Sequence, residues 1–340
     1  MLYVGLDVHW KTSSVCILDQ NGRQVKAETV RGGWQELKKW FRKEFTQPFA
    51  VCYEASCGYG HLHDFLRPRA ARVVVAHPGH LRLIFRSKRK NDRIDAQRLA
   101  KLLYLDEVPT VYVPSIEVRD WRQMIEGRRR LVGKRTRCKN GLRSLLRGHG
   151  IVQPKKDFKG LWSKKGRRWL ASVALPTELA LLQRDLLMEE LDQYDRQVSR
   201  VTEVLDRIGQ GHPGVALLRS IQGVGPRTAE AVVAYIDDPQ RFSRTRQIGA
   251  YFGLVPCQDS SASKNRLGHI TKDGPASVRR LLIEASWQVI RHCAVARALF
   301  DRIHAGKKDR RKVALVAVAH WLSRCMLAML RTGEWWRYAA

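Results

Sequence analysis

Three short runs, "YVGLDV", "SSVCILD" and "RQVKAETV", follow one another in the first thirty residues. Apolar and β-branched residues dominate the first two, a composition that suits a pleated, half-buried surface. Asn21-Gly22 separates the second run from the third. Both residues tolerate the positive φ that a tight hairpin turn demands, so these runs are expected to pair antiparallel. "WQELKKWFRKEF" comes next with helical spacing of Leu37, Trp40 and Phe41, then "PFAVCYEAS" as a buried strand ending near Glu54. "HLHDFLRPR" reads as a short helix and "ARVVVAHP" as a further strand. Strands mixed with helices over about 110 residues point to an α/β domain.

From Glu117 the pattern turns helical. "VRDWRQMIEGRRRLVGKRTRCKNGLRSLLRGHG" carries a broken apolar stripe of Trp121, Met124, Leu131, Leu142, Leu145 and Leu146. Between Glu126 and Arg168 there are sixteen Lys and Arg against two acids, Glu126 and Asp157. A solvated helix face usually interleaves both signs, and this one does not, which favours nucleic-acid contact. Arg128, Arg129, Arg130, Lys134, Arg135, Arg137, Lys139 and Arg143 are the expected contacts. Phe158, Trp162 and Trp169 lie among these charges and suit either base stacking or a core.

A second long helix is expected after Pro176. Leu187, Leu191, Tyr194, Val198, Val201, Leu205 and Ile208 are spaced 4-3-4-3-4-3, the heptad seam of a coiled coil. Self-association and an intrachain hairpin with the basic helix both account for that seam. "LLRSIQGVGPRTAEAVVAYI" has a helix-hairpin-helix pattern, whose Gly223 and Gly225 suit a close phosphate at a helix N-terminus. The polar segment "GLVPCQDSSASKNRLGHITKDG" reads as a loop. "ASVRRLLIEASWQVI" is amphipathic, and "KVALVAVAHWLSRCMLAML" is apolar almost all round and should be buried.

The expected fold class is therefore α/β plus all-α. An N-terminal α/β domain (1–115) precedes a central basic helical and coiled-coil segment (116–210) and a mainly helical C-terminal domain (211–340). The formal charge of +30, with a pI near 10.4, calls for a polyanionic partner, nucleic acid by default. Seven scattered cysteines, with no C-x-x-C pair, argue against a disulfide framework or a zinc ribbon. The N-terminus lacks the order of a signal peptide, and no apolar run is expected to reach the length of a membrane span. The expectation is a soluble, intracellular protein with no membrane partner.

Four carboxylates carry the chemistry. Asp7 lies in the first strand, Glu54 at the end of a later one, and Asp92 and Asp95 open a helix behind the basic run Lys88, Arg89, Lys90. At i and i+3 the last two share a helix face. Each has an ordinary alternative: a strand-end cap, an arginine partner, or an acid complementing the helix dipole. As a set in a basic chain they match an RNase H-like nuclease core. Such a set would hold Mg²⁺, which takes oxygen ligands and activates a phosphate.

"YVGLDVHWKTSSVCILDQNG", "YEASCGYG" and "KNDRIDAQRLAKLL" resemble the DEDD transposases of the Piv-like insertion-sequence family. "LLRSIQGVGPRTAEAVVAYIDDPQRFSRTRQIGAYFGLVPCQDSSASKNRLGHITKDG" and "AGKKDRRKVALVAVAHWLSRCMLAMLRTGEWW" resemble that family's C-terminal transposase domain. The resemblance spans essentially the whole chain, in the family's order. It implies a RuvC-like domain whose tetrad, Asp7, Glu54, Asp92 and Asp95, coordinates Mg²⁺. It also implies a nucleophilic serine in the loop after "GLVP", at Ser261 in preference to Ser260. The family usually has glycine after that serine, where this chain has Ala262.

Lys264, Arg266 and Lys272 are then candidate phosphate clamps. A noncoding RNA from the element, donor DNA, target DNA and a homo-oligomer (dimer or tetramer) with composite active sites are the implied partners. The bacterial cytosol, at the nucleoid, is the implied location. Two rival readings remain open from the residues: a hydrolytic structure-specific nuclease of the Holliday-junction resolvase type, and a non-enzymatic RNA-binding protein.

Overall fold

The computed structural model describes residues 1–85, 91–154, 160–261 and 264–337, giving the backbone alone for 259–261 and 264–266. Two compact units divide the chain, Met1–Ile116 and Glu117–Ala340.

The N-terminal unit is a five-stranded sheet with helices on both faces. Its elements are β1 (Leu2–Val8), β2 (Thr12–Leu18), β3 (Gln24–Arg31), α1 (Trp34–Glu44), β4 (Phe49–Glu54), α2 (Tyr59–Leu66), β5 (Arg72–Ala76), α3 (Pro78–Ile84) and α4 (Asp92–Tyr104). Strand order is β3-β2-β1-β4-β5. β1, β2 and β3 pair antiparallel as the Asn-Gly turn requires, while β4 and β5 join parallel to β1. The parallel strands are reached through helical crossovers, the usual way to connect them.

Side chains alternate across each strand. Val4 and Leu6 face a core shared with Leu37 and Phe41 of α1 and with Leu62, Phe65 and Leu66 of α2. Tyr3, Gly5 and Asp7 therefore point to the other face, which α4 covers with Ala96, Leu99, Ala100 and Leu103. Gly5 is decisive there. A Cβ on it would lie 2.0 Å from the Ala96 carbonyl oxygen and 2.4 Å from the Ala100 nitrogen. Helix α4 thus rests directly on the backbone of β1, with two small alanines completing the approach.

The C-terminal unit is mainly helical. α5 (Ile116–Gly148) and α7 (Glu178–Gly211) run antiparallel, with α6 (Lys164–Ser172) between them in sequence. Paired contacts track the hairpin: Arg128 donates to the Thr202 hydroxyl at 2.7 Å, Arg135 meets Asp195 at 3.4 Å, and the Cys138 thiol donates to Glu190 at 3.2 Å. Arg167 of α6 clamps α7 through Asp192 and Asp195.

Most heptad positions of α7 are taken up within the chain, Ile208 staying exposed. Leu191, Leu187 and Tyr194 pack with Cys138 and Leu142 of α5, while Leu205 and Val201 join the main core of the unit. Of the two explanations for the seam, the intrachain hairpin is the arrangement this structure has.

The remaining elements are α8 (Pro213–Arg219), α9 (Pro226–Ile236), α10 (Gln247–Tyr251), β6 (Pro256–Ser261), β7 (Lys264–Ile270), α11 (Ala276–His292), α12 (Ala294–His304) and α13 (Arg311–Thr332). Two sequence expectations need correction here. The segment expected to be a loop contains an antiparallel hairpin, β6–β7, formed by polar residues whose backbones pair without an apolar alternation. The expectation that no apolar run reaches membrane-span length also fails: within Lys308–Thr332 an 18-residue window has a mean hydropathy of 1.8. That helix is a core helix of its unit. Ala314, Val318, Ala319, Leu322, Met326 and Leu327 are fully buried, and most of them share one core with α8, α9 and α11.

Candidate metal centre and nucleic-acid interface

The β1–α4 contact builds the site. In β1 and β4 the parallel register runs to Leu6↔Tyr53, so the next residues, Asp7 and Glu54, come off adjacent strands together. Asp92 and Asp95 occupy the first turn of α4, whose N-cap Asn91 accepts from the Arg93 backbone N–H at 3.0 Å. Unpaired N–H groups in that turn favour nearby negative charge. With α4 seated on Gly5, one turn of helix reaches Asp7, two residues further along β1.

Asp7, Glu54 and Asp95 line a cleft of about 460 Å³ together with His9, Ser56, Pro78, Leu81, Arg82, Phe85 and Arg98. The structure does not bring all four acids equally close. Among the described residues, the ligand atoms that lie within 4.8 Å of one another belong to Asp7, His9 and Asp92. His9 Nε2 is 3.3 Å from Asp7 Oδ2 and 3.8 Å from Asp92 Oδ1. Asp95 is engaged by Arg98 at 3.3 Å, and that guanidinium also lies over the Phe85 ring, 4.9 Å from its centroid.

Burial pushes the Asp7 carboxyl above its ordinary range; His9 opposes the shift, and the carboxylates of Asp92 and Asp95 reinforce it. A partly desolvated acid beside two like charges is an arrangement that a cation relieves. Oxygen donors at this spacing fit a divalent metal ion. His9 was not among the residues singled out in the sequence. The available signal was its i+2 spacing from Asp7, which keeps both on one side of an extended chain.

Lys88, Arg89 and Lys90 lie outside the described residues. On α5, Arg129, Arg130, Lys134, Arg137 and Arg143 are exposed, while Arg128, Arg135 and Lys139 are partly buried. The Arg128 and Arg135 guanidinium groups are spent on α7, as described above. Lys139 and Arg143 both sit 5.1 Å from the Trp162 ring centroid, so that indole is covered by cations within the fold. Phe158 lies outside the described residues.

Gly223 has φ +98°, and a Cβ there would meet the Val289 nitrogen of α11 at 2.9 Å. Close helix packing therefore accounts for glycine at this position, while nothing lies within 4 Å of a Cβ placed on Gly225. Ser260 and Ser261 end β6, and Ser261 pairs in register with Lys264 across the hairpin, Ser260 with Asn265 and Asp259 with Arg266. The base of that hairpin is pinned. Arg279 donates to the Phe252 and Asp273 carbonyls at 2.9 and 2.8 Å, and Gly253 and Gly274 take positive φ where a side chain would collide with backbone. Lys272 leaves β7 with φ +59°.

A DEDD transposase family profile matches residues 4–151, and the profile described as "Transposase IS116/IS110/IS902 family" matches residues 215–301. A "Probable family 20 transposase" of Pseudomonas aeruginosa is 29% identical over 323 residues, covering 93% of this chain and 92% of the relative. The "Transposase for insertion sequence element IS1111A" of Coxiella burnetii is 27% identical over 300 residues, covering 85% and 78%. The "Transposase for insertion sequence element IS1328" of Yersinia enterocolitica is 25% identical over 285 residues, covering 79% and 81%. The class so defined is a transposase, an enzyme of DNA recombination. More narrowly, the chain is similar to the transposases of the IS110/IS116/IS902 family at both matched stretches.

Proposed function

We propose that this transposase cuts and rejoins DNA strands through a serine nucleophile, Ser261, with electrophilic help from Mg²⁺ held by a RuvC-like carboxylate set, Asp7, Glu54, Asp92 and Asp95. The observation that carries the reading is the cleft lined by Asp7, Glu54 and Asp95, with Asp92 close enough to raise the Asp7 carboxyl, in a chain related to transposases. A strand order of β3-β2-β1-β4-β5, with the first three strands antiparallel, supports the RNase H-like assignment.

In the proposed reaction the Ser261 Oγ attacks a phosphorus of the DNA backbone as its proton is removed. The P–O bond to the leaving sugar oxygen breaks, and that oxygen departs as a hydroxyl. The phosphoserine ester keeps the bond energy, so attack by another strand's hydroxyl rejoins DNA and releases the serine. A serine hydroxyl is a weak nucleophile near neutral pH and needs such activation. The bound cation, when present, supplies Lewis-acid polarisation of the phosphate. Lys264, Arg266 and Lys272 serve as phosphate clamps.

Residues 116–210, which in sequence follow the metal-binding part (1–115) and precede the serine-bearing part (211–340), act in this reading as the nucleic-acid scaffold. The exposed arginines of α5 hold phosphates, which position a duplex without reading it. An element-encoded guide RNA carries target choice by base pairing, a division of labour used by other RNA-guided enzymes. The enzyme works as a homo-oligomer on donor and target DNA in the bacterial cytosol.

The test is a denaturing gel of protein incubated with Mg²⁺, RNA from the element's flanks and labelled donor and target DNA. A covalent protein–DNA adduct that forms with wild type and is lost in Ser261→Ala is expected. Cleavage without an adduct, unaffected by the substitution, would instead mean a hydrolytic nuclease in which water attacks.

A further inference from the structure

We propose that His9 is a further metal ligand beside the carboxylates, so that the centre is a mixed nitrogen–oxygen site, with Asp7, His9 and Asp92 as its most closely grouped donors, and takes a first-row transition cation such as Mn²⁺ more tightly than Mg²⁺. The inference rests on reading this cleft as a metal centre and concerns which atoms bind and which cation they select.

Three observations support it. Residues 7 and 9 leave the end of β1 two positions apart, which points both toward the first turn of α4. The imidazole Nε2 lies 3.3 Å from one carboxylate oxygen and 3.8 Å from the other, and all three ligand atoms fall within 4.8 Å of one another. Bonds of roughly 2.0–2.2 Å to a single cation can span such a triangle after small side-chain adjustments. The His9 side chain is 51% exposed, as is that of Asp92, so a cation can enter from solvent while the Asp7 side chain, 18% exposed, forms the floor.

The chemistry of the donors sets the selectivity. Mg²⁺ demands near-ideal octahedral oxygen coordination and parts with its water reluctantly. Imidazole is a poor match for it and a common ligand for first-row transition metals, whose affinity for nitrogen-containing sites rises from Mn²⁺ onward. A site with one nitrogen among its carboxylates therefore tilts toward the transition metal. Glu54 and Asp95, on the walls of the same cleft, remain the other carboxylates of the set around the cation.

Mn²⁺ is the probe, used with the full-length protein. Pulsed EPR of the bound ion reads nitrogen ligands directly through the ¹⁴N hyperfine coupling, independent of DNA cutting. Competition against Mg²⁺ gives the selectivity. Wild type is expected to show a ¹⁴N coupling that His9→Ala abolishes, with the Mn²⁺ to Mg²⁺ preference falling roughly tenfold. His9 is half exposed, so an unchanged thermal melt is expected for the variant and separates ligand loss from unfolding.

Asp7→Asn serves as the second variant and should weaken both ions. Bound Mn²⁺ without nitrogen coupling, or coupling that persists in His9→Ala, overturns the assignment of His9 and leaves the carboxylate centre standing. No bound Mn²⁺ in any form of the protein overturns both readings.

Discussion

Replacing Gly5 with alanine tests the packing on which the candidate site depends. The new methyl carbon would sit 2.0 Å from the Ala96 oxygen and 2.4 Å from the Ala100 nitrogen, both backbone atoms of α4. An ordinary non-bonded contact needs about 3.5 Å, so helix and strand must separate by more than about 1 Å. Neither partner can yield alone. β1 is the central strand, hydrogen-bonded to β2 and β4, and α4 is anchored by Leu99, Leu102 and Leu103.

Overpacking of this kind costs about 1–3 kcal/mol, and a clash with backbone belongs at the upper end. Hydrogen exchange read by mass spectrometry should show the β1 and α4 amides losing about 3 kcal/mol of protection, over a hundredfold, while α11 and α13 keep theirs. Metal affinity should fall with it, because Asp92 and Asp95 move with α4. Gly133→Ala is the matched control. Nothing lies within 4 Å of a Cβ on that helical glycine, so the same chemical change there should stabilise α5 by about 0.5–1 kcal/mol. Wild-type protection of α4 in Gly5→Ala would refute the direct seating of the helix on the strand.

Two further outcomes follow from the C-terminal unit. Burial, opposed by Arg227 and Arg128, raises the Glu230 carboxyl from 4.5 to about 7. Since the folded state holds this proton more tightly, stability present below pH 4.5 is lost as pH rises through 7, by about 3 kcal/mol. In urea titrations at pH 5 and pH 8, Glu230→Gln should remove that share of the wild-type decline; an unchanged difference between the two pH values would count against it. Exposed Arg137 and tethered Arg128 should also separate in nucleic-acid binding. Arg137→Ala is expected to lower the slope of log affinity against log salt by about one, whereas Arg128→Ala leaves the slope alone and loosens the α5–α7 hairpin. Equal slopes for Arg137→Ala and wild type would remove Arg137 from the interface.

The parts of the molecule that were legible in the sequence are those whose pattern specifies a unique partner. The Asn21-Gly22 turn fixes its two strands as neighbours, and apolar alternation on β1 fixes which face Asp7 shares with Gly5. The heptad stripe of α7 was visible but silent about its mate, because a stripe specifies a surface and α5 offers one as well as a second copy does. Hairpin β6–β7 was missed since its serines, lysine and asparagine give the sequence no apolar alternation to read. His9 was missed because one histidine has no pattern of its own; only the arrival of α4 beside β1 gives it partners. Arg128 and Arg135 looked like their exposed neighbours for a related reason: helical register relative to α7 decides which arginine is used internally.

The measurement that bears most directly on the central claim is DNA cutting by Asp7→Asn beside wild type, with binding to the same DNA followed in parallel. Asp7 sits at the floor of the cleft between β1 and α4, and asparagine keeps its shape while removing its charge. Cutting should fall by about a hundredfold or more, the scale on which loss of a single transition-state contact is felt, while DNA affinity holds or rises slightly. Strand cutting at the wild-type rate by a folded Asp7→Asn protein would contradict the assignment of this cleft as the catalytic centre.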